Sequence, residues 1–235
     1  MRLRALNKHV AAVLRELPFS EAMARLQAEE PPKRLLKPLF SCLCSVEERV
    51  KWFAVSAMGR AVTALAAEER EDARVVMRRF MWMLNDESGG IGWGAPEAMA
   101  EVMACEPGLA SEYGHILVAF MREDGFFLEL EPLQRGLMWG LGRMAAASGD
   151  NLRLLLKHEA DNYILPYLGS ADAVVRGLAA RAAGIFGRPA AQDNLRALRN
   201  DRAEFTLYDN GRFLPVTVGL LAAQALSPGG ENCEL

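Results

Sequence analysis

Apolar and small residues recur along this chain in a phase that repeats every 41 to 43 residues. Val50-Lys-Trp-Phe-Ala-Val-Ser-Ala-Met-Gly59 carries them at relative positions 0, 4, 7 and 8, with glycine at 9. The same skeleton returns at Ile91–Ala100, Leu133–Gly142 and Val175–Gly184, and more weakly at Val218–Ser227. Spacings of three and four place these residues on one stripe of an α-helix. Between the copies, helical patterns run over 34–44, 72–84, 109–122, 151–165 and 190–200. Each period therefore reads as a pair of helices, A then B, which cannot bury its apolar stripe alone and must stack on its neighbours.

The pattern predicts N-terminal capping helices over 1–32 and a repeat array over 33–227, with B helices starting near 46, 94, 132, 172 and 216. Ser45 and Glu48 have capping-box spacing before the first B helix, and Asp172 is placed to cap the fourth. One stretch departs from the helical period. Phe205–Tyr208 and Arg212–Leu214 flank Asp209-Asn210-Gly211, and Asn-Gly favours the tight turn of a β-hairpin, expected over 204–214. An isolated hairpin is marginal, so it must pack on the last helices, where it could cap the open end of the array. The tail 228–235 is Gly-rich and polar and is expected to be flexible.

Val175-Arg176, Ala179-Ala180 and Gly184, with Asp172 upstream, resemble the HEAT and armadillo-like class. The short bacterial HEAT-like repeats related to phycobilisome lyases are the nearest type. Gly90-Ile-Gly-Trp-Gly-Ala-Pro-Glu97 also resembles a feature of an uncharacterised bacterial HEAT-like family. The resemblance implies an all-α, right-handed α-solenoid, a HEAT-like superhelix of about five helix pairs with its B helices towards the concave surface. It specifies architecture and carries no activity.

Composition changes this picture little. About half the chain is hydrophobic and 24% is charged, as in ordinary globular proteins. No stretch approaches a membrane span, and the apolar run Val10–Leu14 is too short for a secretion signal, so a cytoplasmic location is expected. Four scattered cysteines make no disulfide framework. His9, His115 and His158 lack neighbours at metal-ligand spacing, and neither metal nor cofactor is expected.

Charge is informative in its distribution. The net −3 hides ten acidic residues against one basic, Arg122, between Asn85 and Glu131. A duplex-binding surface needs a continuous basic stripe, so nucleic acid is disfavoured as a partner. The acidic block is either a solvated face or a docking surface for a basic partner.

Positions 2 and 6 of each B helix face away from the core stripe. They hold Trp52, Trp93, Arg135, Gly177 and Leu220, then Ser56, Glu97, Trp139, Arg181 and Gln224. Arg60, Glu101 and Arg143 follow one turn later. Trp and Arg are the residue types that anchor interfaces. Trp52, Trp93, Glu97, Arg135, Trp139, Arg143 and Arg181 are therefore candidates for a binding groove. The alternatives are that the rings are covered from within the chain or form a homodimer contact. Before the second B helix, Asp86, Glu87, Gly89, Gly90, Gly92 and Gly94 form a Gly-rich loop. Its carboxylates repel phosphate, which leaves a tight A-to-B connection as its plainest role.

The reading that follows is a non-catalytic scaffold, a monomer or weak homodimer, whose concave face binds a protein or peptide, a basic one if the acidic block takes part. The alternative is an enzyme on the same scaffold. The resemblance extends to HEAT-like glycosylases for alkylated DNA bases, whose aromatic-plus-carboxylate clefts Trp93, Glu97 and Trp139 loosely imitate, and to bilin lyases. No nucleophile–base pair supports either.

Overall fold

The structure is a computed structural model and describes residues 3–85 and 92–227. The chain forms two compact units, Met1–Ala110 and Ser111–Leu235.

In the first unit, α1 (Leu3–Glu16) and α2 (Phe19–Glu29) precede α3 (Pro32–Leu43) and α4 (Glu48–Glu68), followed by α5 (Arg70–Leu84) and α6 (Ala95–Cys105). Helix α7 (Pro107–Ala119) begins at its end. Helices α3 and α4 form one A–B pair, and α5 and α6 the next, with α4 against α6. The core stripe of α4 is closed, since Val50, Ala54, Ala57 and Met58 are all at most 5% exposed. Helix α6 goes further, with every residue from Ala95 to Met103 buried. A helix enclosed on all sides must be apolar or small nearly all round, as this one is. Helices α1 and α2 pack on α3 and α4. Phe19 meets the Phe53 ring edge-on at 5.1 Å, and Arg15 binds Glu47 at 2.6 and 2.7 Å.

The second unit contains α8 (Glu131–Ala147), α9 (Gly149–Lys157), α10 (Ala160–Tyr163) and a 3-10 segment, Leu165–Gly169. Then come α11 (Ala173–Phe186), α12 (Gln192–Leu198), β1 (Glu204–Asp209), β2 (Arg212–Thr217) and α13 (Val218–Leu226). Here α8, α11 and α13 pack in succession as B helices. The repeated small residue at position 9 lies at these crossings. A Cβ on Gly59 would come within 2.8 Å of Glu101 Cγ on α6, and one on Gly184 within 2.6 Å of the Ala225 Cβ on α13.

Helix ends follow local chemistry. Asp172 accepts the Val175 N–H at 2.9 Å, Ser148 the Asn151 N–H, and Thr217 the Leu220 N–H. Gly94 has φ of 73°, and a side chain there would strike the Leu43 carbonyl at 2.8 Å, so the entry to α6 requires glycine. One expectation is corrected. Ser45 and Glu48 form no capping box: Glu47 is the N-cap residue of α4, and the Ser45 hydroxyl accepts the Glu47 N–H instead.

The hairpin is present, with Asp209 paired to Arg212 and both turn residues at positive φ (45° for Asn210, 84° for Gly211), as a type I′ turn requires. As expected, it lies between the two helices of the last repeat and packs on the last B helices. It lies over α11 through β1 and touches α13 through β2. The Gly-rich stretch 86–91 and the tail 228–235 lie outside the described residues.

Candidate functional site

In the second unit the outward face of the B helices is occupied by the chain's own hairpin. Gly177, at position 2 of α11, faces the Phe205 ring so closely that a Cβ would sit 2.6 Å from it. Trp139, at position 6 of α8, is only 3% exposed, and its indole N–H donates to the Tyr208 carbonyl at 2.8 Å. The Trp139 and Tyr208 rings lie 6.2 Å apart, and Phe213 continues the cluster 5.3 Å from Tyr208. Trp139 is thus enclosed from within the chain, the covered one of its three expected environments.

Three arginines edge this seat. Arg181 lies 3.9 Å from the Asp209 carboxylate. Burial lowers the Arg181 pKa from its ordinary value, partly offset by Asp209, while the charge of half-buried Arg143 adds to the lowering. Arg135 binds Asp172 at 3.1 Å and keeps nearly half of its side chain exposed. Burial disfavours the Asp172 carboxylate, but the hydrogen bond and charge of Arg135 together with the Val175 and Val174 amides outweigh it and lower its pKa. Asp172 thereby couples the α11 cap to α8.

In the first unit the equivalent face is framed by α4 and α6. Lys51 Nζ reaches Glu97 Oε1 at 2.8 Å and lies 5.2 Å from the Trp52 ring centroid. The Trp52 indole N–H donates to Glu48 at 2.8 Å, and its ring is half-buried. Trp93, just before α6, is 40% exposed. Beneath this rim Glu97 and Glu101 are both buried, one turn apart on α6. The Cys105 thiol lies 3.5 Å from Glu101, and Glu97 Oε2 is enclosed with no hydrogen-bond partner. The aromatic-plus-carboxylate pairing noted in the sequence therefore has Glu97 held by Lys51 and Trp139 covered. Gly92 and Gly94 are buried at close backbone approaches, Gly92 to the Met83 carbonyl and Gly94 to Leu43. Asp86, Glu87, Gly89 and Gly90 fall outside the described residues.

Sequence reasoning missed Lys51, although its place between Val50 and Trp52 puts it beside the free face. It also missed an open cavity of about 520 Å³ in the second unit, lined by residues of the α7–α8 connection, by Gln134 of α8 and by residues of 163–170. Among the described residues no cluster of three His, Cys, Asp or Glu side chains could hold a metal, and no helix is long and apolar enough to cross a membrane. Burial pushes the Cys42 thiol up to about 11, which leaves it a core residue without nucleophilic character at neutral pH.

No family model matches the chain, and no curated protein matches it in sequence. Solved structures do. An engineered protein aligns over 96% of this chain and 90% of its own, at 16% identity and a TM-score of 0.57. A computationally designed armadillo repeat protein for modular peptide recognition aligns over 95% and 92%, at 17% identity and a TM-score of 0.55. A designed armadillo repeat protein in complex with the peptide (KR)4 aligns over 93% and 97%, at 16% identity and a TM-score of 0.51. At such identities the likeness speaks for the fold alone. The fold of this chain is the HEAT/armadillo-like helical repeat.

Proposed function

We propose that this protein is a non-catalytic scaffold whose α4–α6 face binds an extended segment of a protein or peptide partner. The observation that carries the reading is the Trp139 indole N–H donating to the Tyr208 backbone carbonyl. In the second unit, a B-helix tryptophan already grips an extended strand by its main chain, and the strand belongs to the same polypeptide. In the first unit the corresponding rim carries two further tryptophans, Trp52 half-buried and Trp93 40% exposed. Indoles of this kind supply a large apolar surface and one directed donor, the combination that recurs at binding hot spots. The fold likeness to designed proteins made for peptide recognition supports the same reading.

Basic side chains suit this partner best. Glu97 and Glu101 lie beneath the rim, and while Lys51 holds Glu97 Oε1, Glu97 Oε2 has no hydrogen-bond partner. The test is fluorescence anisotropy with a labelled (Lys-Arg)4 peptide and an acidic control, at low and at physiological salt. Wild-type protein binds the basic peptide, and Trp52→Ala/Trp93→Ala, checked for folding by circular dichroism, binds at least tenfold more weakly. Equal binding by the double variant would remove the α4–α6 face from the account.

A further inference from the structure

The cavity in the second unit has a floor of apolar and aromatic groups. Met121 and Tyr167 are buried there, and the Tyr167 hydroxyl donates to the Met121 carbonyl at 3.1 Å, which fixes the ring. Burial, and after it the charge of Glu123, keep that hydroxyl protonated well beyond the ordinary tyrosine range. Phe127 and Tyr163 are half-buried, and Pro166 closes the rim. A volume of about 520 Å³ falls within the usual span of small-ligand pockets.

The polar lining selects a charge. Arg122 spends its guanidinium on Asp124, at 2.9 and 2.7 Å, so the two cancel. Glu123 remains as the uncompensated carboxylate of the lining. Gln134 donates its amide N–H to the Leu128 carbonyl at 2.8 Å, which leaves its side-chain oxygen as an acceptor. The lining also contains its own example of what it accepts: Arg122 rests over the Tyr163 ring at 5.0 Å. An anion would meet Glu123, while a neutral apolar ligand would leave these acceptors unused.

We propose that this cavity is a binding site for an organic cation with an apolar stem, such as an arginine or lysine side chain of a polypeptide or a free polyamine. Aromatic faces take the stem, Glu123 and the Gln134 oxygen take the head, and Arg122 competes for the same ring. The site is independent of the α4–α6 reading, because all its residues lie on the α7–α8 connection, the first turn of α8 and 163–170.

The test follows the Met121 methyl resonance in methionine-methyl-labelled protein, assigned by its loss in Met121→Leu. Three probes are titrated: spermidine, an arginine-containing peptide and its neutral citrulline counterpart. Movement with both cations, and little with the citrulline peptide, supports the site. Movement with the arginine peptide alone identifies a polypeptide side chain as the ligand, and with spermidine alone a free amine. Glu123→Gln weakens binding about three- to fivefold, the scale of one exposed ion pair. Arg122→Gln acts in the opposite direction and tightens binding severalfold, since it frees both the Tyr163 face and Asp124. A Met121 signal unmoved by every probe, or moved equally by the citrulline peptide, overturns the proposal. So does weaker binding by Arg122→Gln. The (Lys-Arg)4 comparison of wild type with Trp52→Ala/Trp93→Ala is repeated in a Glu123→Gln background, which weakens arginine and lysine binding at this cavity, so the two proposals fail separately.

Discussion

Replacing Trp139 with phenylalanine tests how the hairpin is seated. The substitution keeps an aromatic ring against Tyr208 but removes the indole N–H that Trp139 donates to the Tyr208 carbonyl. A buried acceptor left without its donor costs about 1–3 kcal/mol. The smaller ring forfeits roughly 1 kcal/mol more of apolar burial at about 25 cal/mol per Å². Together these predict a loss of about 2–4 kcal/mol, read as a lower urea midpoint at unchanged slope. The loss has a local signature. Two strands alone are marginal in water, and this pair depends on Trp139, on Phe205 against Gly177 and on Asp209 near Arg181. Amides of 204–217 should therefore exchange faster by mass spectrometry, while those of α9 and α12 change little. A loss below about 0.5 kcal/mol with unchanged hairpin exchange would refute the reasoning, because the indole–carbonyl bond would then not hold the strand.

Two further outcomes follow from the packing and the caps. Gly184→Ala places a methyl 2.6 Å from the Ala225 Cβ; the overpacking, about 1–3 kcal/mol, exceeds the roughly 1 kcal/mol gained in helix propensity, so thermal unfolding occurs at lower temperature. Gly149→Ala is the control, because its new Cβ would meet only the end of Arg153 at 3.5 Å, and it should be neutral or stabilising. Asp172→Ala loses a cap and the Arg135 bond, about 1–2 kcal/mol at neutral pH. The folded pKa of Asp172 is depressed, so its contribution is present above the unfolded carboxylate pKa near 4 and lost as pH falls through the folded value. The gap between wild type and Asp172→Ala in urea melts should shrink below about pH 4, and a gap that is constant or growing there would contradict the assignment.

The helix-pair repeat was legible because a B helix that packs on neighbours must keep positions 0, 4, 7 and 8 apolar and position 9 small. Gly59 and Gly184 show why: the crossing helices leave no room for a Cβ. The hairpin was legible because Asn210-Gly211 suits positive φ at both turn residues. Its seat was not, since Phe205 meets Gly177 and Tyr208 meets Trp139 across 28 and 69 residues of sequence, contacts that no local pattern encodes. Gly177 was the available hint, a residue with no side chain at an outward position where a polar one is the default. The Ser45–Glu48 spacing misled because a Ser side chain can serve a nearer N–H, here that of Glu47. The cavity was hidden for a related reason. Its wall combines 121–134 with 163–170, and only folding brings the two segments together.

The most direct measurement of the central claim is a hydrogen–deuterium exchange footprint of the whole protein with and without saturating (Lys-Arg)4 peptide. The account predicts protection over the first turns of α4 and over 92–105, with 204–217 unchanged because that strand already fills its own seat. Protection confined to 204–217 and α11, or increased exchange of the hairpin as the peptide displaces it, would contradict the placement of the partner on the α4–α6 face.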